Sequence, residues 1–369
     1  MSKNKKASEP LFHIVKRDSL VWWESWIVRA IAIVLSLVVA GVVTYFITGL
    51  NPFAVYVKMF EGSFLSSRRF WKLLQGIAML LCISLAVTPA FKMKFWNIGA
   101  EGQVLIGALA SATVMLKLGG KMPNALLLIV MMLAAIVSGG IWAFFPAFFK
   151  AKWGTNETLF TLMMNYIAIQ ILNYFSMIWA VPKGSGKIGI INQNTEAGWL
   201  PAIFGNKYLI NVVIVAVITI AMYIYLKYSK HGYEISVVGE SRNTAKYIGI
   251  NVKKIIIRTM IISGAICGIA GFLLVSGTDH TVNSSTAAGR GFTAIIVSWL
   301  AKFNPLYMIL TSFLIVFLQN GATEISTQFD LNHSFADILT GIIIFFIIGS
   351  EFFINYSIKF RKKEGERNA

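Results

Sequence analysis

Ten apolar runs follow one another along this chain, and they constrain its fold more than any other feature. They cover residues 27–50, 71–91, 98–118, 123–149, 158–181, 208–227, 258–277, 286–302, 305–322 and 338–358. Crossing a hydrocarbon layer about 30 Å thick takes about 20 apolar residues in a helix, and a spanning segment must satisfy its own backbone hydrogen bonds. The expected fold class is therefore all-α, a polytopic membrane helix bundle of about ten transmembrane helices. The run 286–302 is short and carries Arg290 near one end, so it either spans or re-enters.

Composition and charge agree with a membrane setting. Of 369 residues 56% are hydrophobic and only 13% are charged. The formal charge of +17 sits in short groups between apolar runs and forms no continuous basic face. That pattern marks topology and contact with anionic membrane lipid, with no nucleic acid as partner. Assigning the basic residues to alternate sides favours an inward N-terminus and an inward C-terminus by about two to one. The organisation read from this is a cytoplasmic tail over 1–26, a transmembrane domain over 27–358 that contains a cytoplasmic loop at 227–257, and a basic cytoplasmic tail over 359–369. The first run is a retained span, since no small-residue cleavage pattern follows it. An outer segment near 182–207, rich in Gly, Asn and Lys, is long enough to meet an extracytoplasmic partner.

Residues 227–257 are the polar interruption. This loop holds Lys227, Lys230, Arg242, Lys246, Lys253 and Lys254, which places it on the cytoplasmic side. Within it Ser241 or Asn243 can cap a short helix, Ala245 and Ile248 fall on one face, and Gly249 can close the helix in the left-handed conformation. A short amphipathic helix held between two spans suits docking onto a soluble partner.

Polar side chains inside spans are costly unless they face protein or water, so each is a functional candidate. The third span opens with Phe95, Trp96, Asn97, Ile98, Gly99, Ala100, Glu101, Gly102 and Gln103. Four-residue spacing puts Asn97 and Glu101 on one helical face. These residues either line a pathway and fix its geometry, or close a helix end with a glutamate in its first turn. In the fifth span Glu157, Thr161 and Asn165 form a polar stripe that touches substrate or bonds neighbouring helices. In the seventh, Gly264, Gly268 and Gly271 predict very close helix packing.

Enzyme chemistry is missing. There is no G-x-x-x-x-G-K-[ST] spacing for nucleotide phosphates, and four scattered histidines and two cysteines offer neither a metal site nor a triad. The centres of the spans carry almost no charge, whereas ion-coupled carriers bury ionisable groups there. If the chain moves solute uphill, the energy comes from an ion gradient or from an ATPase on another chain, and the near-absence of charge in the spans favours the second.

Four stretches carry a family resemblance: Phe95 to Gln103 (F-W-N-I-G-A-E-G-Q), Asn156 to Ala168 (N-E-T-L-F-T-L-M-M-N-Y-I-A), Gly239 to Ile250 (G-E-S-R-N-T-A-K-Y-I-G-I), and Gly289 to Pro305. Together they resemble permease subunits of bacterial ABC importers in the branched-chain amino acid and ribose permease superfamily, nearest to the nucleoside-uptake branch. The resemblance implies a multi-pass protein of the bacterial cell membrane with no cofactor of its own. Its implied partners are an ABC ATPase subunit that binds ATP, a second permease subunit and an extracytoplasmic substrate-binding lipoprotein. It implies that Glu240, Asn243, Ala245, Tyr247 and Gly249 couple to the ATPase. A nucleoside, purine ones such as guanosine first, is the implied substrate. Phe95, Trp96, Asn97, Glu101, Gln103, Glu157, Thr161 and Asn165 are then its expected pathway. A simple-sugar permease for ribose or galactose and an ion-coupled secondary transporter are the alternatives. Lys246 stands where a second small residue is frequent, and the run Thr293 to Trp299 departs from the family's common D-G-I-A-V-A.

Overall fold

The computed structural model describes residues 12–17, 21–185 and 188–360; the remainder of both expected tails, and residues 186 and 187 of the outer segment, lie outside the described residues. Among the described residues nine helices are long and apolar enough to cross a membrane: α1 (Trp22–Thr48), α3 (Ser67–Lys92), α4 (Ala100–Leu118), α5 (Asn124–Trp153), α6 (Glu157–Ile178), α7 (Leu209–Tyr228), α10 (Val252–Leu274, extended by a π-helical turn to Asp279), α12 (Pro305–Gln328) and α13 (His333–Asn355). Shorter helices are α2 (Pro52–Phe64), α8 (Lys230–Glu240), α9 (Arg242–Tyr247) and α11 (Arg290–Leu300). The chain sets most of these starts with side-chain caps. Asn51, Ser66, Asn156, Ser229, Ser241, Asn251 and Asn332 each accept a hydrogen bond from a first-turn backbone N–H.

Two compact units result, one holding the chain up to Leu65 and from Leu318 onward, the other Ser66–Phe317. In the first unit α1 packs along α13, with Arg29 and Glu351 paired at 3.1 Å. A two-stranded antiparallel sheet joins β1 (Phe12–Lys16) to β2 (Tyr356–Phe360), with Phe12 opposite Phe360 and Lys16 opposite Tyr356. β1 lies in the segment expected as the N-terminal tail, while β2 begins three residues before the expected C-terminal tail, within the segment expected to span; their pairing puts both ends of the described chain on one side. The number of crossings between them is therefore even. α2 was not foreseen; its Val55, Met59 and Ser63 repeat every four residues and are buried.

The second unit is built on α3 and α10, both deeply buried along their length. α10 lies against α5 and α4 through glycines. A Cβ at Gly264 would strike the Gly139 carbonyl, one at Gly268 the Ala135 carbonyl, and one at Gly271 the Val104 carbonyl. The close packing expected of this helix is present, and it uses small residues on two faces.

The run 286–302 is resolved by its neighbours. At its outer end the His280 carbonyl accepts a 2.8 Å hydrogen bond from Ile191 N, and Leu200 N donates to the Ser276 carbonyl. From there the chain passes without regular structure to Gly289, beside Glu101, and then runs as α11 along α3, where Ser298 Oγ donates to the Ser84 carbonyl at 2.9 Å. α12 begins just beyond, with Met308 beside Thr88 and Val316 beside Gly76, antiparallel to α3. Eleven helical residues rise only about 16 Å. The segment thus crosses as half loop and half helix, which gives nine long helices and an even ten crossings.

Candidate functional site

The polar residues of the third and fifth spans converge on one spot in the second unit. α4 does not begin at Phe95: residues 93–99 form a bent, largely buried entry, and the helix starts at Ala100. Asn97 and Glu101 therefore do not share a helical face. The four-residue spacing is there, but residues 95–98 are not helical and the helix begins only after Gly99.

Asn97, fully buried, acts as the hub of this entry. Its Oδ1 accepts from Gly99 N at 3.1 Å and from Gln103 Nε2 at 3.2 Å, while its Nδ2 donates to Ser263 Oγ of α10 at 3.2 Å. α6 supplies the other half. Asn165 Oδ1 accepts from Gly102 N at 2.8 Å and its Nδ2 donates to the Ile98 carbonyl at 2.8 Å, and Thr161 Oγ1 accepts from Ile98 N at 3.2 Å. Glu157 sits in the first turn of α6 and pairs with Lys150 of α5. Glu101 reaches the other way. Its Oε1 accepts from Gly289 N at 2.8 Å and its Oε2 from Gly291 N at 2.7 Å, so one carboxylate holds the N-terminus of α11. A carboxylate on the exposed N–H groups of a helix start is favoured by hydrogen bonding and by the helix dipole together.

Asn97, Glu101, Gln103, Thr161 and Asn165 are thus brought together, and they are buried. Their polar atoms are spent holding the bent entry, α6 and the half-helix α11 in register. Phe95 is also fully buried, against the cluster formed by Ala90, Ala143, Ile235 and Met260. Trp96 differs from them. It is 45% exposed and meets Trp299 at 5.6 Å and Phe91 at 5.8 Å between ring centroids. Sequence reasoning missed Trp299 and Ser263, whose importance comes only from where α11 and α10 put them.

The polar loop becomes two helices. Ser241 Oγ caps α9 by accepting from Thr244 N at 3.2 Å, and Gly249 closes it at φ +83°, both as expected. Ala245 is buried, but Ile248 is 55% exposed. α9 has only six residues and ends at Tyr247, so Ile248 lies beyond the helix and leaves its face. Glu240, Asn243, Tyr247 and Gly249 are exposed around this turn. α8 went unseen, although His231, Ile235 and Val238 repeat at helical spacing after Ser229. It is wedged tightly: a Cβ at Gly239 would strike the Lys92 carbonyl of α3, and one at Gly232 the Tyr225 carbonyl of α7. His231 is buried beside the Tyr225 hydroxyl, and burial, aided by Arg258, holds its imidazole below the ordinary histidine value.

The model of the family described as branched-chain amino acid transport system, permease component, matches residues 69–348. The chain belongs to that family. The permease is 29% identical to the guanosine ABC transporter permease protein NupP of Bacillus subtilis, over 90% of this chain and 94% of that one. It is 27% identical to the nucleoside ABC transporter permease protein NupB of Lactococcus lactis, over 87% and 90%. To the glucose ABC transporter permease protein TsgB13 of Haloferax volcanii it is 26% identical, over 93% and 92%. The permease is a multi-pass membrane transport subunit and not an enzyme. As an ABC permease it works with an ATPase component and a substrate-binding protein.

Proposed function

We propose that this permease forms, with a second permease subunit, the translocation pathway of an importer for nucleosides, purine nucleosides such as guanosine first. The observation that carries the reading is the pair of nucleoside and guanosine permeases at 27% and 29% identity along about nine-tenths of the chain. The glucose permease relative supports a simple-sugar substrate as the second reading.

The α8–α9 elbow supports the coupling part of the proposal. It lies between the sixth and seventh long helices, exposes Glu240, Asn243, Tyr247 and Gly249, and is wedged through α8 on the ends of α3 and α7. A push on α9 is delivered to α3, the buried centre of the unit, instead of being absorbed in a loose loop. ATP binding on the partner moves the elbow, and rigid-body rocking of packed helices opens one side or the other. The polar knot around Asn97 and Glu101 keeps the bent entry and α11 moving as one piece. An extracytoplasmic lipoprotein delivers the nucleoside to the opposite face.

The test is uptake of labelled guanosine, uridine and ribose by cells carrying the complete transporter, with and without this permease. Guanosine uptake that depends on the permease and is competed by uridine but not by ribose is expected. Ribose uptake without nucleoside uptake overturns the substrate.

A further inference from the structure

α6 has two unlike faces. One, with Thr161, Asn165, Ala168, Leu172 and Ser176, is buried. The other carries Met163, Tyr166, Gln170 and Tyr174 along consecutive turns, all exposed, with Asn173 beside them. Tyr166 is 57% and Tyr174 62% exposed, and with Ile167, Ile171 and Phe175 they border a shallow groove of about 500 Å³ that Gln170 crosses. Asn173 Nδ2 donates to Gln170 Oε1 at 3.5 Å.

Position makes this face unusual. Gln170 lies thirteen residues beyond Glu157, about 20 Å along a span that needs about 30 Å. An exposed carboxamide at that depth is costly against hydrocarbon. The neighbouring spans show what a lipid-facing surface of this chain looks like. The exposed face of α5 is Leu126, Ile129, Leu133, Val137, Ile141 and Phe145, and that of α7 is equally apolar. α6 alone of the three exposes amides and phenols at mid-span, so its outer face meets water or a polar ligand.

We infer that this face of α6 is the nucleoside track of the permease, with Tyr166 and Tyr174 as successive rings, one deeper than the other, on which the base stacks in turn, and Gln170 between them reading its polar edge. This rests on the nucleoside reading above. Two rings about two turns apart, with uncharged carboxamides between them, match a flat, neutral, hydrogen-bonding base. The groove has no cationic or anionic side chain among its lining residues, which suits an uncharged solute.

The experiment uses the complete transporter in membrane vesicles open at both faces, with Gln170→Cys and a charged, water-soluble thiol reagent. Cys82 and Cys267 are fully buried, so the wild type serves as the blank. Rapid labelling of Gln170→Cys, slowed about tenfold by saturating guanosine and not by ribose, is expected; one lost hydrogen bond in Gln170→Leu raises the guanosine KM by about the same factor with ATPase activity kept. No labelling means that lipid or a second copy covers the face, and overturns the inference. Labelling that no nucleoside slows, together with an unchanged KM in Gln170→Leu, also overturns it while guanosine uptake by the wild type upholds the nucleoside reading. A wild type that imports ribose and no nucleoside sinks that reading and this one with it.

Discussion

Glu101 shows how much one side chain carries. Both its carboxylate oxygens are taken by backbone N–H groups of a segment 188 and 190 residues further along the chain. Removing the carboxylate in Glu101→Ala leaves those two donors without an acceptor in a buried place, a loss of about 2 to 5 kcal/mol. Thermal unfolding of the purified permease in detergent should show that drop, and Glu101→Gln, which keeps one acceptor oxygen, should lose about half as much. Gly291→Ala attacks the same joint from the other side, because its Cβ would strike the backbone of Glu101, and should destabilise at least as strongly. Sequence reasoning found the residues of this knot, since amides and carboxylates stand out in apolar runs. What it could not find was their geometry. F-W-N-I-G-A-E reads as continuous helix, and only the tertiary bonds of Asn97 to Ser263 and of Asn165 to Ile98 stabilise a bent entry there.

Among the elements, the α8–α9 elbow makes two expectations testable. Gly249 sits at φ +83°, where a side chain is strained, so Gly249→Val should reset the exit of α9 and lower uptake by an order of magnitude or more while membrane insertion is unchanged. Retained uptake would show that α9 delivers no work. The second expectation concerns pH. The His231 imidazole is held below its ordinary value of about 6.5 in the folded elbow, so folding there favours the neutral ring. That contribution is complete above the unfolded value and is lost as pH falls through the window below about 6.5. The protection factors of the α8 amides, corrected for the intrinsic pH dependence of exchange, should fall between pH 7.5 and pH 5.5, and His231→Phe should flatten that dependence. The elbow was legible in part. Basic residues, Ser241 and Gly249 marked α9, since caps and left-handed glycines are local signals. α8 hid behind Gly232 and Gly239, which read as loop residues but are the places where the helix comes closest to α7 and α3.

Taken whole, the molecule separates its energy source from its pathway. Ion-coupled carriers usually bury carboxylates or basic groups near the midplane of several spans. Glu101, the one Asp or Glu among the buried described residues, spends both oxygens on the start of α11, so loading an ion there would release that half-helix. The remaining polar groups at that level, Asn97, Gln103, Thr161 and Asn165, are uncharged and bonded to one another, to neighbouring backbone and to Ser263. The nine long helices were readable from the apolar runs, and so was the absence of charge from their centres. The run 286–302 stood out as a tenth apolar segment, but its short length left spanning and re-entry both open, and only its contacts with Glu101 and α3 show half loop and half helix. The energetic consequence can be measured directly. In proteoliposomes holding the permease with its ATPase and substrate-binding protein, guanosine uptake should persist when proton and sodium gradients are collapsed by ionophores. It should stop when ATP is withheld. Uptake that follows the sodium or proton gradient without ATP would mean that an ion does bind on this chain, and Glu101→Gln would then be the variant that abolishes it.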